Sequence, residues 1–222
     1  MNKPQNNSHC LGVVLAGGMS SRMGQDKALL LHQQQTMLAF SQQVLHDAGI
    51  EDVVISGQQH GLADQIQHLG PMGGIYSVYQ QYKPQAMLVI PVDLPLLTSE
   101  IIQELKLAGQ LSNKACYYQD NFLPLYLPIN ALVRQYFQQQ FARLGVEAKL
   151  AIEAQLSAKT HSAKHNKTTK GPSIGSLTRA IPSQVLKLSN KNGLFNANTP
   201  TQWQQAQTQF TQLRNSHGEY FS

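Results

Sequence analysis

At 222 residues, 41% hydrophobic and 13% charged, the chain has the size and composition of one α/β domain with a real core. Its net charge of +5 points to an anionic partner, yet no nucleic-acid-binding motif is present and the aromatics do not interleave with a basic stripe. Cys10 and Cys116 have neither C-x-x-C nor metal-ligand spacing, residues 1–9 contain no apolar signal core, and no apolar run nears the ~18 residues of a membrane span, so the chain reads as a reduced, cytoplasmic protein.

In chain order, residues 1–10 read as a flexible N-terminus and 11–16 as a short, continuously apolar first strand. A Gly-rich loop follows. Residues 37–48 carry Leu38, Val44, Leu45 and Ala48 at helical spacing, and Gly49 stops them. Val53, Val54 and Ile55 form a second strand ended by Ser56-Gly57. Residues 70–74 are a Gly/Pro turn leading into a helix from about 75 to 82. Residues 86–91 are a third buried strand, and Thr98-Ser99-Glu100 opens a helix through 107 with a hydroxyl N-cap.

The second half is less regular. Residues 114–118 and 122–127 read as strands, with antiparallel pairing left open. Helices are expected over 129–144 and about 146–156. The Ser-, Thr-, Lys- and Gly-rich segment 157–181 reads as a mobile insertion whose lysines form a solvated loop. A last strand covers 184–188, and a helix from 201 to about 213 sits behind Thr199-Pro200. The β-α alternation implies a single domain with a mostly parallel central sheet and right-handed crossovers, a Rossmann-like three-layer α/β/α fold. Its ligand site is then expected at the carboxyl edge of the strands.

Two features at that edge carry chemistry. The loop after the first strand frees backbone N–H groups at Gly17, Gly18 and Gly24 and adds Arg22 and Lys27, which is what a polyphosphate needs. It is neither a Walker A loop nor G-x-G-x-x-G. Lys27 is expected to neutralise triphosphate charge. Arg22 either grips phosphate bidentately or pairs with Asp26 to shape the loop. Asp93, just past the third strand, either holds Mg²⁺ or caps a turn before Pro95. No Ser-His-Asp or Cys-His set is present, and the eight histidines are scattered. His60 and His68 flank a loop near the expected site and read as surface residues.

Four ordered motifs carry a resemblance. They are Leu15-Ala16-Gly17-Gly18 with Ser20, Arg22-Met23-Gly24 and Asp26-Lys27; Gly70-Pro71-Met72-Gly73-Gly74-Ile75; Pro91-Val92-Asp93-Leu94-Pro95; and Phe195-Asn196-Ala197-Asn198-Thr199-Pro200. Together they span most of the chain from Gly12 to about Trp203. They resemble the molybdopterin nucleotidyltransferases, and the paired glycines are similar to the molybdenum cofactor guanylyltransferase branch.

The resemblance implies transfer of GMP from Mg²⁺-GTP to the terminal phosphate of molybdenum-bound molybdopterin, releasing pyrophosphate. It implies nucleotide contacts by Leu15, Ala16, Gly17 and Gly18, the last two keeping a base slot open. It places further contacts at Ser56, where the family commonly has Asn, and at Asp64, which otherwise reads as a helix-surface carboxylate. Asn196 or Asn198 either completes the metal shell, touches the second substrate, or caps the last helix. Molybdoenzymes or their chaperones are the expected recipients of product, and a monomer or weak homo-oligomer the expected state. CTP as donor, or a sugar-1-phosphate acceptor, is the nearest rival. A nucleotide-binding regulator without catalysis is the rival of another class.

Overall fold

Alternation along the strands sets the layers. The computed structural model describes residues 10–17, 26–32, 34–66, 69–142, 144, 171–188 and 191–218. In β1 (Cys10–Leu15) and β5 (Ala86–Pro91) successive side chains point to opposite faces, and both faces are apolar. Val14, Leu88 and Ile90 enter one cluster, and Leu11, Val13, Leu15, Met87 and Val89 the other. Strands buried on both sides need helices on both sides. On the first face α1 (Met37–Asp47) supplies Met37, Phe40, Val44 and Leu45, and α3 (Ser99–Ser112) supplies Ile102 and Leu105. On the second face lie Met72, Ile75 and Val78 of α2 (Pro71–Tyr82), Val133 and Phe137 of α4 (131–142), and Leu177 of α5 (Ile174–Ala180). The three-layer α/β/α architecture is as expected.

The six-stranded sheet has the order β4-β1-β5-β7-β6-β8, where β4 is Val53–Ser56, β6 Ala115–Tyr118, β7 Asn121–Pro128 and β8 Ser183–Leu186. Only the pairs that β7 makes with β5 and β6 are antiparallel. The chain goes out from β1 to β4, then returns through α2 past β1 to β5. The strand order therefore reverses between β1 and β5, whose ends pair Leu15 with Pro91. In open α/β sheets that reversal opens a crevice at the carboxyl edge. Among the described residues no helix is long and apolar enough to cross a membrane.

Several boundaries differ from the sequence reading. α2 begins at Pro71 rather than 75, because Pro occupies the first turn, where its missing N–H costs nothing, and Gly70 takes φ +57° before it. α3 continues past Gly109 to Ser112 and ends on Asn113 at φ 50°. The end of the supposed mobile segment 157–181 is α5, held by a Ser173/Ser176 capping box and by buried Ile174 and Leu177. The helix expected over 146–156 and the rest of that insertion, 157–170, lie outside the described residues. The last helix, α6, runs Pro200–Gly218.

An unanticipated hairpin, β2 (Leu31–His32) with β3 (Gln35–Thr36), tucks His32 among aromatic rings. Its ring centroid lies 4.8 Å from Phe40, 5.9 Å from Trp203 and 5.1 Å from Phe210. The side chain is 2% exposed. Burial lowers its pKa below the ordinary 6.5, and a hydrogen bond to the Pro95 carbonyl offsets only part of that. Between the folded and unfolded pKa values the unfolded chain binds more protons. The contribution of neutral His32 is therefore complete above about pH 6.5 and is lost as pH falls toward the lower folded value. Melting temperature should fall on acidification below that pH, and His32→Leu should flatten the fall. An unchanged slope in His32→Leu would move the acid sensitivity to another group.

Candidate active site

Main-chain hydrogen bonds lace three strand ends together at the crevice. Ala16 N donates to the Ser56 carbonyl at 2.8 Å, and Val92 N to the Leu15 carbonyl at 3.1 Å. A Cβ on Gly57 would stand 3.0 Å from both Ala16 C and Gly17 N. Glycine at 57 thus lets the β4 loop lie directly against the Ala16-Gly17 backbone.

Gly18, Ser20, Arg22 and Gly24 lie outside the described residues. From Asp26 onward the local logic is clear. The Asp26 carboxylate caps a 3-10 turn, Lys27–Leu29, by accepting from Ala28 N at 2.9 Å. The turn aims Lys27 across the crevice, where its Nζ donates to Asp93 Oδ2 at 2.9 Å and to Asn198 Oδ1. Lys27 and Asp93 side chains are each 16% exposed. Half-burial strengthens such a pair by limiting water's screening.

Asp93 links strand and tail. Its carbonyl accepts Ala197 N at 3.0 Å, which seats the segment before α6 beside the β5 end. Thr199, not Asn198, caps α6, its Oγ1 accepting from Gln202 N at 3.2 Å. Asn198 is thereby left to direct its side-chain oxygen at Lys27. The second carboxylate oxygen, Asp93 Oδ1, is buried with no hydrogen-bond partner among the described residues. A buried carboxylate oxygen without a partner is costly unless something positive meets it. Among the described residues no group of three or more His, Cys, Asp or Glu side chains is placed to hold a metal. A metal here would rest on one carboxylate, with substrate phosphates and water completing its shell, a pattern suited to Mg²⁺.

Ser56 stands at the expected strand end, but it is 2% exposed. Its hydroxyl turns onto α2: a Cβ on Gly74 would be 2.3 Å from Ser56 Oγ. Asp64 sits against the same helical turn, its Oδ2 3.0 Å from where a Gly73 Cβ would be. Burial raises its pKa. The structure thus brings Ser56 and Asp64 together on the first turn of α2, whose Gly70 cap makes no side-chain hydrogen bond.

One residue that reads from the sequence as a surface histidine joins the site. His60 Nε2 lies 2.6 Å from Asp26 Oδ2. Burial tends to raise the Asp26 pKa, but hydrogen bonds from His60 and Ala28 N together bring it below the ordinary value. A separation of 34 residues leaves no sequence signal for this pair.

Residues 12–150 match the family model described as the MobA-like NTP transferase domain. The chain belongs to this MobA-like family. A molybdenum cofactor guanylyltransferase from Xanthomonas euvesicatoria pv. vesicatoria is 35% identical over 196 residues, covering 86% of this chain and 91% of that one. One from Rhizobium johnstonii is 37% identical over 116 residues, 46% of this chain and 53% of its own. The solved molybdopterin-guanine dinucleotide biosynthesis protein A of Archaeoglobus fulgidus superposes with a TM-score of 0.62 at 14% identity, covering 91% of this chain and 99% of that one. The 2-C-methyl-D-erythritol 4-phosphate cytidylyltransferase of Thermus thermophilus gives 0.55 at 14%, with 90% and 98% covered. At such identities the structural likenesses speak for the fold alone. The MobA-like chain is a nucleotidyltransferase, and its crevice falls where the family motifs converge.

Proposed function

We propose that this MobA-like enzyme transfers GMP from GTP to the terminal phosphate of molybdenum-bound molybdopterin, yielding the guanine dinucleotide cofactor and pyrophosphate. The observation that carries the reading is the Lys27–Asp93–Asn198 constellation at the β1/β5 reversal, with Asp93 Oδ1 left unpartnered. The names borne by the relatives support GTP as donor and molybdopterin as acceptor.

A phosphate monoester is already an anionic nucleophile near neutral pH, so no general base is required. The enzyme has to align it on the α-phosphorus and compensate the charge of departing pyrophosphate. Lys27 is held by two oxygens before substrate arrives, so its cation is placed in advance. Arg22, the second cation of that sequence motif, would add charge for the phosphates. Asp93 would hold Mg²⁺ through Oδ1, which supplies charge neutralisation at the phosphates. Leu15, Ala16, Gly17 and Gly18 meet the nucleotide through their main chain. Ser56 serves that edge through its carbonyl, which fixes Ala16 N, and Asp64 offers a carboxylate at the α2 N-terminus.

Thermal stabilisation tests the donor. With Mg²⁺, a nucleotide at ~100-fold over its Kd adds about 2.7 kcal/mol of stability. GTP should raise the melting temperature by several degrees, with CTP and ATP well behind. Equal shifts by all three nucleotides, or a larger one with CTP, would sink the guanylyltransferase reading.

A further inference from the structure

Asp26 has its two carboxylate oxygens on different tasks. Oδ1 accepts from Ala28 N at 2.9 Å and so shapes the turn bearing Lys27. Oδ2 meets His60 at 2.6 Å. His60 itself sits in a loop tied to its own strand. Gly57 N donates to the Leu62 carbonyl at 2.9 Å, Leu62 N to the Ile55 carbonyl at 2.9 Å, and Gly61 N to the Gly57 carbonyl at 2.9 Å. A Cβ at Gly61 would lie 2.2 Å from the Ile55 carbonyl oxygen, so the loop is drawn tight against β4.

We infer that His60 is a positioning residue: by clasping Asp26 it fixes the turn that aims Lys27, and it locks the phosphate side of the crevice to the loop after β4. The inference rests on Lys27 being the cation that meets the triphosphate. A connected series results, from the β4 loop through His60 and Asp26 to Lys27, then to Asp93 at the β5 end and Asn198 before α6. An ordinary surface ion pair contributes little, because two long side chains must be immobilised in water. Here the His60 and Asp26 side chains are 16% and 29% exposed. Both are short, and each is set by its own backbone, so little further freedom is lost in making the contact. Mispositioning a charged group by an ångström is costly to a reaction that depends on alignment.

The test is a cycle of variants in the full chain. His60→Leu removes the clasp. His60→Gln supplies an amide N–H near the place of Nε2. Asp26→Ser keeps a capping hydroxyl for Ala28 N but cannot reach His60. Hydrogen exchange at the Ala28 amide reads the clasp without substrate. It should speed up about tenfold in His60→Leu and recover in His60→Gln, as local opening energies predict. Turnover reads the consequence. His60→Leu should lower kcat about tenfold, with KM for GTP changed less than about threefold. In the Asp26→Ser background the same change should cost nothing more.

Unaltered Ala28 exchange overturns the clasp, whatever the enzyme's substrate. Altered exchange with unaltered kcat overturns the positioning role, as does an equal loss of kcat in the Asp26→Ser background. If the unaltered enzyme transfers no nucleotide, the proposed function fails while amide exchange still decides the clasp.

Discussion

Asp93→Ala lowers kcat by about a thousandfold or more while weakening GTP binding by about tenfold or less. The asymmetry follows from three separate tasks at this residue. The main-chain carbonyl seats Ala197, Oδ2 holds Lys27, and Oδ1 waits unpartnered in a buried position. Alanine keeps the first task, so the segment bearing Asn198 stays in place and much of the nucleotide surface is preserved. It removes the other two, which bear on charge at the reacting phosphates.

Asp93→Asn separates those two. If the side chain serves only to orient Lys27, the amide oxygen can take over and turnover largely returns. If Oδ1 meets a cation, the amide turned oxygen-first toward Lys27 presents an N–H where a negative oxygen is needed, and Asp93→Asn is as inactive as Asp93→Ala. Steady-state kcat and a Mg²⁺ titration of both variants distinguish these outcomes. Intact turnover in Asp93→Ala would make Asp93 a turn residue and nothing more.

Gly109→Ala destabilises the fold without touching the chemistry. Gly109 is a buried position of α3 facing β7. A Cβ there would stand 2.0, 2.4 and 2.6 Å from Cδ1, Cγ and Cε1 of Tyr126. Tyr126 is 4% exposed, its strand pairs it with Leu88 and Cys116, and burial pushes its hydroxyl pKa up to about 12. Such a ring has nowhere to swing. Alanine gains about 1 kcal/mol of helix propensity over glycine, but overpacking of a close-packed core costs about 1–3 kcal/mol or more, so strain prevails.

A net loss of about 2 kcal/mol should lower the melting temperature by about 4–8 °C in a chain of this size. The folded fraction should keep its kcat, because α3 leaves the carboxyl edge and Gly109 lies near its far end. Tyr126→Leu removes the obstructing ring, so adding Gly109→Ala to that variant should cost far less than it does in the unaltered chain. Additive losses would show that the clash is relieved elsewhere.

Both residues illustrate what local sequence can and cannot convey. Strand alternation and helical spacing are local, so the central β-α units and the three-layer fold were readable. Lys27 and Asp93 are readable as occupants of one sheet edge because each lies past a strand end, but their direct ion pair is not. Short elements defeat periodicity: the β2–β3 hairpin and the 3-10 turn are too brief to show a repeat. Gly109 looks like a place for α3 to weaken, and only the distant Tyr126 ring explains why glycine belongs inside it. α5 hid in a composition typical of loops because its two buried anchors are few. Ser56 was placed at the correct strand end, but the direction of its hydroxyl depends on Gly74, on another element. His60 needed a partner 34 residues away.

The reversal of β7 has a consequence for parity along the chain. Each strand in a wholly parallel sheet starts at one edge, so each following helix begins at the other. β7 ends where β5 begins, with Pro128 opposite Ala86 and Ile129 N bonded to the Gln85 carbonyl. α4 therefore climbs toward the start of α2: Phe137 meets Tyr79, and one turn later Phe141 stacks on Tyr76 at 3.7 Å. On the return, Gly171 reaches Leu69, just ahead of α2. One backward strand thus exchanges the two edges for α4, and β8, parallel to β6, restores them. The end of α4 and the residues leading into α5 therefore both lie by the start of α2, the turn that Ser56 and Asp64 also face.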